Sequence, residues 1–213
     1  SLDVPDLGAP TSVVRRMQRL AETTPTDTRE GLQSLLSEAA LELSRQLDRG
    51  TISSVESQYQ HYLSSDQAVV RAERQYNRVS ARERSKFERE SWSNYNGKIV
   101  TDDDYSDNDS SANGSSGESS APPAPPKASL ALVQLHLVIE GNAMEAFGTR
   151  KVETRSSLRE ALIQLSGDVT AVKDCVIAGE VLWAPQLQSD QQVLTQEDVY
   201  VNYPRLWSLD YTK

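Results

Sequence analysis

From Lys98 to Lys127 the chain reads KIVTDDDYSDNDSSANGSSGESSAPPAPPK, a stretch with no aliphatic side chain larger than alanine after Val100. Such a segment cannot bury enough apolar surface to offset the entropy of ordering its backbone. Residues 98–129 also carry two lysines against six acids, which predicts a self-repelling, extended spacer with a stiff polyproline end at PPAPP. Any core must therefore come from the flanks, and the 213 residues suffice for two small domains. The chain reads as α+β: a flexible N-terminus over 1–9, a helical module over 10–97, a disordered acidic, Pro-rich linker over 98–129, and a small α+β module over 130–213 in which strands pack with two helices.

Before the linker the apolar period is helical. Val13, Val14, Met17, Leu20 and Ala21 share one face, and Pro25 ends that helix. Asp27 and Glu30 have capping-box spacing ahead of Leu32, Leu35, Leu36, Ala39, Leu43 and Leu47, with Gly50 as the stop. Val69, Ala72, Tyr76 and Val79 predict a third helix, and Ser80 with Glu83 a capping box for a fourth, weakly apolar one carrying Phe87 and Trp92.

Beyond the linker the period changes to two. Val133, Leu135, Leu137 and Ile139 are apolar while Gln134, His136 and Glu140 fall on the other face, the pattern of a strand with one buried side. A helix is predicted from Ser157 to Ser166 with Gly167 at its end, then a strand in CVIAGEVLWAP, then a short helix capped by Thr195 and Asp198 and stopped before Pro204. If the two strands share a sheet they are expected to be parallel, with a right-handed crossover, unless a hairpin within 141–153 adds a strand between them.

The candidates for chemistry are few. No nucleophile elbow, P-loop, dinucleotide fingerprint or H-E-x-x-H occurs, and the two histidines, His61 and His136, read as surface or half-buried groups. Cys175, the single cysteine, sits in an apolar run and reads as a small buried hydrophobe. Asp107, Asp109, Ser111, Asn113 and Glu118 have EF-hand ligand spacing, but the sixth position is Ala112 where the loop requires glycine, so a solvated spacer is preferred. Ser106 and Ser115 each precede an acid by three residues, a weak phosphorylation pattern. Trp183, running into Pro185, reads as the end of a strand rather than a binding tryptophan. Catalytic, cofactor-binding and metal-binding residues are thus all read as none, and no cofactor is expected.

Charge narrows the partners. The net charge is −9, and an acidic chain without a basic domain is a poor nucleic-acid ligand. Arg71, Arg74 and Arg78 fall on one helical side, a face that could rest on anionic lipid or simply be solvated. No run of about 18 apolar residues is present to form a transmembrane helix. A chain beginning SLDVPDLGAP, without Met or a leader, is expected to be a processed protein or a fragment.

RRMQRLAETTPTDTREGLQSLLSEAALEL, ISSVESQ, SARERSKFERESWSN, EVLWAPQ and TQEDVYVNYPRL, in that order, resemble an uncharacterised-domain family of chloroplast and cyanobacterial membrane-associated proteins that includes the plant fluctuating-light-acclimation protein. The resemblance implies a non-enzymatic regulatory or scaffold role in photosynthetic acclimation and proton homeostasis. It places the chain at a thylakoid or chloroplast-envelope membrane as the soluble portion of an anchored precursor. A membrane protein or anionic membrane surface is the expected partner, with no nucleic acid and the protein partner unknown. A hydrolase using an unrecognised carboxylate pair and a phosphorylation-controlled adaptor are the alternatives.

Overall fold

The computed structural model describes residues 1–63, 67–86, 92–95, 98–101, 129–140, 152–186 and 194–209. Helix α1 (Val13–Thr23) begins where the Ser12 hydroxyl accepts from Arg15 N, and it buries the predicted face of Val13, Val14, Met17 and Ala21. Helix α2 (Arg29–Asp48) is capped by Thr28, one residue after the Asp27 expected. The Thr28 hydroxyl lies 3.0 Å from Gly31 N, which supplies the N-terminal acceptor directly. Gly50 takes a φ of 76° just past the end of α2, the left-handed stop its position suggested. Twelve residues of α2 are buried, spread around its circumference, so it is the central helix of the fold and not a surface one.

Three strands form the principal sheet, in the order β1 (Leu2–Val4), β5 (Ser129–Ile139), β6 (Val176–Ala184). Strand β1 pairs antiparallel with β5, Leu2 opposite Ala131 and Val4 opposite Ser129. Residues 2–4, read as part of a flexible terminus, are thus an edge strand with Leu2 and Val4 in the core. Their alternate side chains face the apolar interior, and this burial offsets the ordering cost of a short strand.

Strands β5 and β6 are also antiparallel, which overturns the expected parallel crossover. Helix α4 (Arg155–Ala171) lies between them in sequence and runs against α2 in the opposite direction. At its start Arg155 Nη1 and Nη2 donate to Leu47 O and Ile52 O at 3.3 and 3.1 Å, next to the bridge of Ile52 with Leu2. At its end Asp174 O accepts from Arg29 at the beginning of α2. By Arg155 the chain has already returned to the end of the sheet where β5 starts; α4, about 25 Å long, then carries it back to where β5 finishes. Two traverses between the strands leave β6 no direction but antiparallel, and Ile139 meets Val176.

The remaining elements are short. Strands β2 (Ser54–Val55) and β7 (Trp207–Ser208) pair antiparallel, tying the far C-terminal residues to the segment after α2, and Leu209 N donates to Ser53 O at 2.9 Å. Helix α5 (Gln196–Asn202) has the Thr195–Asp198 capping box that its sequence announces. Helix α4 runs through Gly167 to Ala171, a turn beyond the predicted stop, and starts at a capping box of Thr154 and Ser157. A Cβ at Gly167 would meet nothing within 4 Å, and no positive φ is needed there, so this glycine has no stop to make.

Helix α3 (Ala68–Arg84) replaces the third and fourth predicted helices with one. Ser80 lies inside it, its hydroxyl committed to Glu180 across the fold at 3.0 Å instead of capping a new start. Residues 92–95, inside the predicted fourth helix, form a strand instead: β3 (Trp92–Tyr95) pairs with β4 (Lys98–Thr101). Tyr95 pairs with Lys98, and the sequence between them reads Asn-Gly, the strongest short hairpin signal available. The rest of the predicted linker, 102–128, lies outside the described residues.

One core joins the two flanks. Met17, Leu36, Ala39 and Leu43 from before residue 98 cluster with Ala131, Leu162, Val169, Val176 and Trp183 from after it. Gly179 makes the closest approach of sheet to helix: a Cβ there would lie 2.7 Å from Leu36 Cδ1. Helices α1 and α2 cover this face of the sheet with α4 packed on α2, and α3 crosses β5 and β6 on the other.

Candidate functional site

The face of the sheet away from the main core carries the polar residues of β5. Pleating puts Gln134 and His136 on that side, and the register sets Glu180 of β6 directly opposite His136. Glu180 is 8% exposed and collects three partners. Its Oε1 lies 2.9 Å from His136 Nδ1, and its Oε2 accepts from Ser80 Oγ at 3.0 Å and from Arg84 Nε and Nη2 at 3.1 Å. The other imidazole nitrogen, Nε2, lies 3.1 Å from Gln134 Oε1, and Gln134 Nε2 reaches the Tyr203 hydroxyl at 3.4 Å.

From Tyr203 the contacts return to α3. Lys86 Nζ stands 4.1 Å from the centre of the Tyr203 ring and 2.6 Å from Glu83 Oε2, while Arg82 Nη2 holds Glu83 Oε1 at 2.9 Å. Strands β5 and β6, the C-terminal half of α3 and the residue after α5 are thus fastened by one polar network.

Its electrostatics follow from incomplete burial plus near-complete pairing. Burial pushes the Glu180 carboxyl up, but hydrogen bonds from His136 and Ser80 and the charge of Arg84 outweigh it and hold the group below the usual carboxylate range. Glu83 behaves alike: burial opposes its charge, and Lys86 and Arg82 more than compensate. The Tyr203 phenol is pushed up to about 12, first by burial and then by the charge of Glu83, with the Gln134 bond pulling the other way. It remains a protonated hydroxyl at neutral pH.

This arrangement suits fastening better than catalysis. Ser80 and His136 both address Glu180 and not each other, so the serine hydroxyl donates to a carboxylate and has no base to activate it. An acid-pair hydrolase needs one carboxyl raised to act as general acid, whereas Glu83 and Glu180 are both lowered. Among the described residues no cluster of three or more His, Cys, Asp or Glu could hold a metal ion.

The residues singled out from sequence fall in different places. Trp183 is 8% exposed and belongs to the main core, so its ring is a packing element and not a binding surface. Cys175 is buried beside Val169 O and Gln33, and burial pushes its thiol up. His61 is exposed, and His136 joins the network at the half-buried sheet face expected of it. Arg71, Arg74 and Arg78 line a groove with Tyr62 and Gln75. Asp107, Asp109, Ser111, Asn113 and Glu118, with Ser106 and Ser115, lie outside the described residues. Sequence reading missed Glu180, Ser80, Arg84 and Tyr203. The available signal was Glu180 itself, a lone acid inside VIAGEVLWA, because a charge in an apolar strand must find a partner.

Comparison with known proteins places these features in a family. The model of a protein of unknown function, DUF1517, matches residues 3–209. The chain is 29% identical over 208 residues to the FLUCTUATING-LIGHT-ACCLIMATION protein 1, chloroplastic, of Arabidopsis thaliana, covering 96% of this chain and 45% of that one. It is 29% identical over 195 residues to Protein FLAP1 homolog A of Synechocystis sp. (strain ATCC 27184 / PCC 6803 / Kazusa), covering 90% of this chain and 51% of the relative. It therefore spans about half the length of the curated relatives it matches. No solved structure matches it.

Proposed function

The chain belongs to the DUF1517 family, and on that premise we propose that it is a non-enzymatic regulatory or scaffold portion of a membrane-associated protein of photosynthetic acclimation. The observation that carries this reading is the match to a chloroplast light-acclimation protein and its cyanobacterial homologue over nearly the whole of this chain, on both sides of the 98–129 segment. The polar network supports the non-enzymatic part. Its chargeable groups are spent on one another, which gives a rigid surface and leaves no activated nucleophile. A thylakoid or envelope location and a role in proton balance complete the proposal.

Deletion of the gene in a photosynthetic organism that carries it tests the reading. Growth and the relaxation of chlorophyll-fluorescence quenching should be impaired under fluctuating light and restored by the full-length gene. A deletion strain that matches its parent under fluctuating light would remove the acclimation role. The full-length protein should be recovered with membranes on cell fractionation, and recovery wholly in the soluble fraction would remove the membrane part.

A further inference from the structure

We infer that the outward side of α3 is a docking surface for the anionic headgroups of membrane lipid. Tyr62, Arg71, Arg74, Gln75 and Arg78 line a groove of about 240 Å³. Successive helical residues turn by about 100°, so Val70, Arg74, Arg78, Arg71 and Gln75 fall within one arc of about 140°. Ser80, which bonds the helix to Glu180, lies on the opposite side, and Arg84, its second bond to Glu180, lies outside that arc.

The pairing of the basic residues divides along the helix. Arg84 is paired with Glu180, and Arg82 and Lys86 with Glu83. Among the described residues Arg71, Arg74 and Arg78 meet no carboxylate: Arg71 Nη2 donates to Gln67 Oε1 at 3.3 Å and Arg78 to Gln75 Oε1. Three guanidiniums without a countercharge, side by side on a chain of net charge −9, form a local positive surface complementary to phosphate oxygens.

The apolar neighbours decide between a lipid headgroup and a free phosphate. Leu63, next in sequence to Tyr62, is 82% exposed, and Val70, on the arginine arc, is 51% exposed. A soluble anion would leave both in water. At a membrane they enter the boundary between headgroups and acyl chains while the arginines stay at the phosphate level. The network behind α3 supplies the stiffness that lets one helical side present itself as a unit. This inference deepens the membrane part of the reading above and rests on it only for its setting.

The test is cosedimentation of the purified 213-residue chain with phosphatidylcholine vesicles, with and without phosphatidylglycerol, at low and physiological salt. Binding should require phosphatidylglycerol and weaken with salt. The triple change Arg71→Gln, Arg74→Gln, Arg78→Gln should lower the affinity about fivefold per charge, on the order of 100-fold together. Arg15→Gln with Arg19→Gln, exposed charges on α1, should leave it within about twofold, since charges away from the membrane surface are screened. Leu63→Ser with Val70→Ser should weaken vesicle binding at unchanged charge, and circular dichroism checks that each variant is folded. Two results overturn the inference: equal vesicle binding by the parent and the triple variant, or, in an NMR titration, saturation by inorganic phosphate in a protein that does not bind vesicles. Both readouts use purified protein, so their failure is separable from that of the acclimation role.

Discussion

Gln33 offers the sharpest test of how the two flanks are joined. It lies in the first turns of α2, is 6% exposed, and serves the end of α4 from across the core. Its Nε2 donates to Val169 O and, at 2.9 Å, to Val172 O, while its Oε1 accepts from Asp174 N at 3.2 Å. Helix α4 has no basic residue in its last turn, so these carbonyls depend on Gln33. In Gln33→Leu the volume is nearly kept and the donor and acceptor are lost.

A buried polar group left without a partner costs about 1–3 kcal/mol. Val169 O retains a weak contact with Cys175 Sγ at 3.6 Å, and Val172 and Asp174 lie near enough to solvent to recover part of their hydration. The three losses together therefore come to about 2–4 kcal/mol, a large share of the roughly 5–15 kcal/mol typical of a domain. At about 2–4 °C per kcal/mol for a chain of this size, thermal unfolding should shift down by roughly 5–15 °C. Urea unfolding followed by circular dichroism gives the free energy, and hydrogen exchange at residues 172–176 locates it. Gln33→Glu should be worse than Gln33→Leu, because it keeps the acceptor for Asp174 N but turns carboxylate oxygen toward two carbonyls. A Gln33→Leu protein within about 0.5 kcal/mol of its parent, with unchanged exchange at 172–176, would refute the reasoning.

Three further outcomes follow from the same contacts. Glu180 and Glu83 are held below their ordinary value of 4.5, so the stability they contribute is fully present above that pH and is lost as pH falls through the folded-state values; urea midpoints measured from neutral to acid pH should fall less steeply in Glu180→Gln, which should itself be destabilised by about 1–3 kcal/mol at neutral pH. Gly179→Ala should cost about 1–3 kcal/mol through overlap with Leu36, and pairing it with Leu36→Val in a double-mutant cycle should show a coupling of at least about 0.5 kcal/mol; strict additivity would place the strain elsewhere. Cys175, buried with its thiol pushed up, should resist a thiol reagent in the native protein and react with it in denaturant.

Much of the local structure was legible. The face of α1, the stripe of α2, the alternation in β5 and the capping box of α5 could be read because each depends on residues within a few positions of one another. The misreadings share a cause. Ser80 and Glu83 have capping-box spacing, yet Ser80 is spent on Glu180 across the fold and Glu83 on its neighbours Arg82 and Lys86, and the helix continues. Gly167 resembles a stop, yet α4 gains enough by packing on α2 to run through it. In both places a weak local preference yields to burial.

The sequence by itself determined helices α1, α2, α4 and α5 and the two long strands, the α+β class and membership of a family, since periodicity, capping spacing and the order of sequence blocks are properties of the chain read in line. Only the tertiary structure decided that the strands run antiparallel, that residues 2–4 complete their sheet, and that the polar face of β5 is closed by α3. The bonds that gather around Glu180 come from Ser80, Arg84 and His136, separated from it by 100, 96 and 44 positions. No short-range period spans such distances. They are chosen by which buried charge can find a partner once the core has brought its surroundings together.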